Sequence, residues 1–512
     1  MIMLIHKLYR TRLLTPTGLF RIAEAVVKTG VNLMALLRVT AHLHPNSDAI
    51  RDDHGQCTYH HLWQQAEALA IALQQEYGIQ PHQKVAIACR NHAAEIKAIF
   101  AASRLGAHVF LLNPEMSADQ MQSLVERLAI DFYIYDPPGD RPLPPWLNAA
   151  LQQGKALPAY HATNPSIDQL SLSSQRKPSR LKTVKTGNIV VMTGGTTGQP
   201  KPASRKPSLF NFLPPFIALL EQVHLDRYRS LYIATPIYHG FGLAALLIGM
   251  ILGAELYVTQ RFEAAQACSL IDTYQVEVVT LVPLMLQRMV RENGRSLSSL
   301  RCILSGGAAL SPTLTQATLE QLGNVLFNLY GTSEAGFCIL GSPALLRKKP
   351  ASIGQPVWGV NARIADAAGD AIHQGEIGRL CIRSAWSTRQ KRWIETGDLA
   401  YRDADGDIFL CGRVDDMIVS GGENVYPVEL ENVLLQHPEI EAVAVIGIPD
   451  AEFGQRLKAV VVPTQGTMLN KSLLREWLKP RIARYQMPAV IELRSHLPYT
   501  ALGKPDKKAL RG

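Results

Sequence analysis

Residues 85–114 read VAIACRNHAAEIKAIFAASRLGAHVFLLNP, and their pattern decides the fold. VAIAC is a short apolar run of the length of a buried strand. AAEIKAIFAASRLG has helical spacing and stops at a glycine, and HVFLLNP is a second apolar run closed by Asn-Pro. Strand, helix and strand in quick succession are the repeating unit of a parallel sheet. Upstream, residues 58–78 (TYHHLWQQAEALAIALQQEYG) carry apolar residues at helical spacing behind the capping residue Thr58. Downstream, IVVMT, SLYIATP, ELYVT, VEVVTLVP, RCILSG and VLFNLYG alternate with helical segments to about residue 340. That alternation predicts a doubly wound α/β sheet. Residues 153–186, polar and rich in Ser, Pro and Lys/Arg, read as a surface connection between two α/β lobes.

After about residue 350 the rhythm changes to short strands and Gly/Asp turns (ARIADAAGD, GRLCIRS, DGDIFLCGR), a smaller β-rich lobe. The last hundred residues form another unit, beginning near Arg413. It holds a helix at PVELENVLLQHP, strands at AVAVIGIP and LKAVVVP, and a helix at KSLLREWLKPRIARY. The chain of 512 residues suits three or four folding units. Its 47% hydrophobic and 19% charged residues exclude collagen-like, coiled-coil and wholly disordered classes.

The net charge of +9 is local: +8 in residues 170–206, +5 in residues 1–40 and only +1 in residues 413–512. Such clusters suit anionic partners. They lack the interleaved aromatics of a base-stacking surface, and no helix-turn-helix or zinc pattern accompanies them, so nucleic acid is excluded as a partner. Seven cysteines stand at least thirty residues apart, without CxxC spacing. That scatter reads as reduced thiols in a cytoplasmic protein. Residues 230–254 lack Asp, Glu, Lys and Arg, but Pro236, His239 and four glycines predict a strand, a turn and a core helix instead of a membrane span. Residues 1–45 form a basic segment in which Leu, Ile, Val and Phe alternate with Lys and Arg. Two placements are open for it: docked on the large domain with its charges in water, or lying through residues 1–40 on the inner face of a membrane.

Chemistry concentrates in ordered motifs. Thr193-Gly194-Gly195-Thr196-Thr197-Gly198-Gln199-Pro200-Lys201 follows the strand IVVM. Glycines let backbone N–H groups approach phosphate oxygens, the threonines add hydroxyls and Lys201 adds a cation. Read alone, the segment has a Gly-rich hairpin as its second reading, behind a phosphate loop. It is not a Walker loop, because Gln199 and Pro200 separate Gly198 from Lys201. Here the sequence resembles the adenylate-forming superfamily of acyl-CoA synthetases, amino-acid adenylation domains and luciferases, with Gly194 in a usual Ser position and Pro202 in a usual Gly position.

The superfamily's further motifs follow in order over roughly residues 58–508. TPIYHGFG (235–242) matches the segment that puts His239 at the carboxylate pocket. SGGAAL (305–310) resembles the adenine-side loop, assigning Gly306, Gly307 and Ala308 to the nucleotide, with Ala309 replacing a usual Pro. NLYGTSEAG (328–336) implies Tyr330 as base platform, Gly331, Thr332 and Ser333 as nucleotide contacts, and Glu334 as the Mg²⁺ ligand. A serine-hydrolase elbow is excluded there by Ala335. WIETGD (393–398) implies that Asp398 binds ribose, since a carboxylate offers two acceptor oxygens to a vicinal diol. GRVDDMIVSGGENVYPVELE (412–431) implies Arg413 as a ribose or phosphate contact, Asp415 as a hinge pivot and Gly422 as clearance for a pantetheine arm. PYTALGKPDKKAL (498–510) implies Lys504 as the catalytic lysine.

The resemblance implies a domain plan: the segment 1–45, an AMP-binding N-terminal domain 46–412 and a mobile C-terminal domain 413–512 carrying Lys504. The fold class is α/β, a large N-terminal domain of two α/β lobes plus a small β-rich lobe, then a small α+β domain. The implied activity is ATP-dependent conversion of a carboxylic acid to an acyl-adenylate with release of pyrophosphate, then transfer to the thiol of CoA. Lys504, His239 and Glu334 are its catalytic group; ATP, Mg²⁺ and CoA are its cofactors. GFGLAALLIGM (240–250) offers no carboxylate to hold a substrate ammonium, so a hydrophobic, fatty acid is the expected substrate. Two alternatives stand beside this: an acyl-AMP ligase loading the phosphopantetheine of an acyl carrier protein, and a non-catalytic relative. The absence of an obvious insertion between 376 and 412 tilts the first choice toward CoA.

Overall fold

A computed structural model describes residues 7–511 apart from 140–141, 163–164, 173–180, 185–186, 194–200, 206–208, 388–391, 421–422, 451–452 and 501–502. Two compact units emerge, residues 1–281 with 295–303, and residues 282–294 with 304–512.

The first unit contains β1 (Asp48–Asp52), β2 (Gly55–Thr58), β3 (Lys84–Ala88), β4 (His108–Leu111), β5 (Phe132–Tyr135) and β6 (Ala156–Pro158). It continues through β7 (Ile189–Thr193), β8 (Lys201–Arg205), β9 (Ser230–Ile233), β10 (Glu255–Val258) and β11 (Val278–Leu281). One sheet runs β6-β5-β3-β4-β7-β8, parallel except for β8. Another segment of sheet runs β11-β9-β10-β1-β2, antiparallel only at β2. The strand–helix–strand reading of residues 85–114 holds, with Lys84–Ala88, the Ala93–Arg104 helix and His108–Leu111 in that order.

That helix is buried along all of residues 94–104, which explains how it can carry charges inside the unit. Lys97 Nζ donates to Asp168 at 2.7 Å and Ser171 at 2.9 Å. Arg104 pairs with Glu67 at 3.1 Å and donates to the carbonyls of Leu181 and Lys182. The cations are buried and their carboxylate partners partly exposed, so removing a carboxylate would leave a buried positive charge uncompensated. Glu95, wholly buried, has both carboxylate oxygens unpaired, and burial holds it protonated by pushing its pKa well above the usual range.

These pairs correct the reading of residues 153–186 as a mere surface connection. Ala156–Pro158 is an edge strand, the Ile167–Leu172 helix supplies Asp168 and Ser171 to Lys97, and Leu181 is buried. The elements are too short for periodicity to register. Residues 230–254 form β9, a turn and the Gly240–Ile251 helix as expected. Among the described residues, no helix is long and apolar enough to cross a membrane.

The second unit contains β12 (Cys302–Gly306), whose first two residues belong to the first, then β13 (Leu326–Thr332), β14 (Gly336–Gly341), β15 (Ser352–Pro356) and β16 (Val360–Ala365). β17 (Gly378–Ser384), β18 (Ile394–Arg402) and β19 (Ile408–Arg413) complete the β-rich part, ordered β12-β13-β14-β15-β19-β18-β17-β16. Lys349 clamps the 403–407 turn, reaching Asp403, Asp405 and Asp407 at 2.6, 2.6 and 2.7 Å. These three carboxylates are close enough to gather a metal ion, and here a single ammonium group sits among them and offsets one of their three charges.

The C-terminal part adds β20 (Ile418–Ser420), β21 (Glu423–Val425), β22 (Ile440–Asp450), β23 (Gly454–Pro463) and β24 (Val490–Leu493). Its core joins Leu430, Leu434, Val443, Val445, Val461, Leu474 and Leu478. Burying each such leucine contributes about 1.5–3 kcal/mol. The helix expected over KSLLREWLKPRIARY stops at Leu478: Lys479 still has helical backbone, but Pro480 has no N–H with which to continue the ladder.

Candidate functional site

The strongest convergence lies in the second unit. β18 and β19 pair so that Asp398 stands opposite Arg413. Asp398 Oδ1 accepts from Arg413 Nη1 at 3.1 Å and Asp398 Oδ2 accepts from the Tyr330 hydroxyl at 2.5 Å. A carboxylate has about four lone-pair positions, so acceptor capacity remains for a diol. Tyr330 is buried in β13; burial, reinforced by the negative charge of Asp398, pushes its phenol far above the ordinary range and keeps it the donor.

Two residues beside Asp398 hold this arrangement, though sequence reasoning singled out only the aspartate. Thr396 Oγ1 accepts from the Asp398 N–H at 3.2 Å and donates to Leu380 O at 2.9 Å. Gly397 has φ +78°, and a Cβ there would meet Arg413 Nη2 at 2.7 Å. The glycine therefore supplies both the left-handed backbone and the room for the guanidinium. Gly397→Val should push Arg413 off Asp398 and raise the KM for ATP roughly tenfold or more. Initial-rate kinetics would test this, and an unchanged KM would refute it.

Arg413 also reaches Asp415, at 3.9 Å. Asp415 lies in the short 3-10 turn Val414–Asp416, more than half exposed. Lys504 arrives from the far end of the sequence on a tight turn, where Gly503 has φ +68° and its N–H donates to Thr500 O at 2.8 Å. A Cβ on Gly503 would meet Val282 Cγ2 at 3.0 Å, and one on Gly307 would meet Val282 Cγ1 at 3.6 Å. The Gly306–Ala308 loop and the Lys504 turn thus share one neighbour. Lys504 keeps an exposed face, yet enough protein surrounds its ammonium for burial to lower its pKa. Asp398 opposes that shift and Arg413 adds to it. Lys504, Asp398 and Arg413 therefore share one electrostatic environment.

Glu334 sits exposed on the hairpin joining β13 and β14. Gly331 is required there because a Cβ would lie 2.3 Å from Gly336 O. Thr332 Oγ1 accepts from Ala335 N–H at 3.0 Å, closing the turn, while Ser333 also faces outward. An exposed single carboxylate fits Mg²⁺, which commonly takes one or two protein carboxylates and completes its shell with water and phosphate oxygens.

In the first unit, Thr193 pairs with Lys201 across β7 and β8. These two strands are antiparallel partners; Gly194, Gly195, Thr196, Thr197 and Gly198, which lie between them in sequence, are outside the described residues, as is Gly422. His239 is half-buried at the N-cap of the Gly240–Ile251 helix, whose free N–H end favours an anion. Its ring tilts against Tyr238, centroids 4.5 Å apart. Gly242 seats the helix start, since a Cβ would lie 2.2 Å from Pro236 O.

The profile of AMP-binding enzymes matches residues 37–390, and that of the AMP-binding enzyme C-terminal domain matches residues 429–504. A feruloyl-CoA synthase of an Amycolatopsis species is 29% identical over 490 residues, covering 92% of this chain and 96% of that protein. A medium/long-chain-fatty-acid–CoA ligase, FadD8 of Mycobacterium tuberculosis, is 31% identical over 349 residues, 62% of this chain and 60% of its own. The fold is also that of o-succinylbenzoate CoA synthetase (MenE) from Bacillus subtilis, with a TM-score of 0.81, 24% identity and coverage of 93% and 98% of the two chains. The chain belongs to the AMP-binding enzyme family of the adenylate-forming superfamily, and it is an AMP-forming acid–thiol ligase.

Proposed function

We propose that the protein activates a hydrophobic carboxylic acid with ATP and Mg²⁺ and transfers the acyl group to CoA. The observation that carries this reading is the Asp398 carboxylate held between the Arg413 guanidinium at 3.1 Å and the Tyr330 hydroxyl at 2.5 Å, with Lys504 near enough for both charges to act on its ammonium. Attack of a carboxylate on the α-phosphate brings two anions together, and a cation fixed beside the nucleotide's ribose contact offsets that repulsion. Bound to Glu334, Mg²⁺ would supply further neutralisation of phosphate charge. Thr193–Lys201 would cradle the departing pyrophosphate, and His239 would face the substrate carboxylate. Thiol attack uses the same carbonyl, so Lys504 must withdraw first. Rotation of residues 413–512 about Asp415 is the motion we assign to this step.

The acid's tail would lie along the Gly240–Ile251 helix, which contains no charged residue and presents half-buried Phe241 beside buried Leu243. Both a fatty-acid–CoA ligase and an aryl-acid one are among the relatives, so tail shape is the property to test. Pyrophosphate release with ATP, Mg²⁺ and a panel including decanoate and ferulate, run with CoA or a carrier protein, tests the whole reading. Thioester formation on CoA with apolar acids is expected. Acylation of the carrier protein alone would replace CoA as acceptor, and no pyrophosphate with any acid would overturn the enzyme assignment for this chain.

A further inference from the structure

The N-terminal segment divides into two helices with opposite roles. In the Leu33–Leu43 helix, Met34 and Leu37 are fully buried and Thr40 Oγ1 donates to Met250 O at 3.1 Å, so this helix is part of the core. The Pro16–Thr29 helix, capped by Thr15, buries only Gly18, Ala25 and Thr29. Ile22 and Ala25 pack toward Ala35, Val39 and Leu43. That fixes which way the helix faces, and its outward side is apolar: Leu19 is 52% exposed, Phe20 63% and Val27 75%. Val31 continues the stripe, and Tyr9 and Leu14 stand exposed before it. Among the described residues, six of the sixteen exposed large apolar side chains fall within residues 9–31. Scattered single exposures are ordinary, whereas a concentrated patch marks an interaction surface.

Charge indicates what covers it. Arg21 and Lys28 follow Phe20 and Val27 directly, and Arg12 is exposed near the start of the helix. The only acid of residues 1–45, Glu24, is held internally by Lys28 at 2.6 Å, Arg21 at 2.7 Å and Arg38 at 3.2 Å. The buried end of the segment is pinned by Lys7 Nζ donating to Leu220 O at 2.6 Å, so the patch is presented from a fixed base. We propose that this face docks on an anionic lipid surface, with Leu19, Phe20 and Val27 entering the headgroup boundary and exposed Arg12, together with the positive charge of Arg21 and Lys28 left over after Glu24 is paired, facing lipid phosphates. An apolar stripe edged by cations is the pattern of an interfacial helix, which lies on a bilayer without crossing it.

The test is co-sedimentation of the full chain with vesicles of phosphatidylcholine, with and without roughly one third phosphatidylglycerol. The wild-type chain is expected to bind the anionic vesicles. A Leu19→Glu, Phe20→Glu, Val27→Glu variant should lose at least about tenfold in partition while keeping wild-type pyrophosphate release, which separates docking from folding and from the chemistry. Arg21→Gln with Lys28→Gln should remove the preference for phosphatidylglycerol. Absence of binding to either vesicle, or equal binding by all variants, overturns the proposal. So does a concentration-dependent dimer abolished by the three glutamates without any vesicle binding, because a second copy would then cover the face.

Discussion

Lys504→Ala is expected to lower adenylate formation by roughly 10²–10³-fold or more, the size of effect seen when one fixed charge-stabilising donor is removed from an active site. Thioester formation from a pre-made acyl-adenylate and CoA should stay near wild type, because on the proposed rotation Lys504 would by then have left the carbonyl. Pyrophosphate release reports the first half-reaction and thioester yield from the supplied adenylate reports the second. Equal loss in both would sink the assigned role. The pH profile gives a second signature. Burial lowers the Lys504 pKa below the ordinary lysine value, Arg413 lowers it further and Asp398 raises it. The first half-reaction needs the cation, which is lost as pH rises through the folded-state pKa. Its alkaline limb should therefore fall below the value of about 10.4 typical of an unperturbed lysine. Arg413→Gln should move that limb upward and Asp398→Asn should move it downward. If neither moves it, Lys504 is not the titrating group.

The sheet rhythm was legible because strands such as β3 and β4 are nearly all apolar and the Ala93–Arg104 helix between them has its own period. Less legible was anything set by a distant partner. Lys97 and Arg104 look like surface charges on a helix until Asp168, Glu67 and two carbonyls close around them. Leu, Ile and Val mixed with Lys and Arg in residues 1–45 fit either docking or exposure, and the two helices divide those outcomes between them. In the site, resemblance named Tyr330, Asp398, Arg413 and Lys504 individually. Their convergence rests on pairings 68 and 15 residues apart and on the C-terminal turn meeting Val282. No local pattern encodes those separations. Thr396 and Gly397 stood in the quoted motif, but their work is visible only once Arg413 is in place.

Asp398→Asn is expected to lower kcat/KM for ATP by roughly 10²-fold, since hydrogen bonds to a charged group are worth about 1.5–3 kcal/mol each. The amide keeps the shape of the carboxylate but loses its charge and replaces one acceptor oxygen with a donor, which cannot pair with the Arg413 guanidinium and forces the Tyr330 hydroxyl to accept where it now donates. A loss of activity would therefore have two sources: a weaker hold on the nucleotide's ribose and a loosened Tyr330–Asp398–Arg413 link. The nucleotide itself separates them. With Asp398 holding the ribose hydroxyls, the wild-type enzyme should discriminate against 2′-deoxy-ATP by about tenfold, because the missing hydroxyl forfeits one charge-assisted bond. In Asp398→Asn that discrimination should collapse toward unity, since the bond is already gone. Asp398→Ala should show the same collapse together with a lower Tm, as it leaves the buried Tyr330 hydroxyl without its acceptor, a cost of about 1–3 kcal/mol. If Asp398→Asn keeps full discrimination while its Tm falls, the aspartate serves to join β13, β18 and β19, and the ribose is held elsewhere.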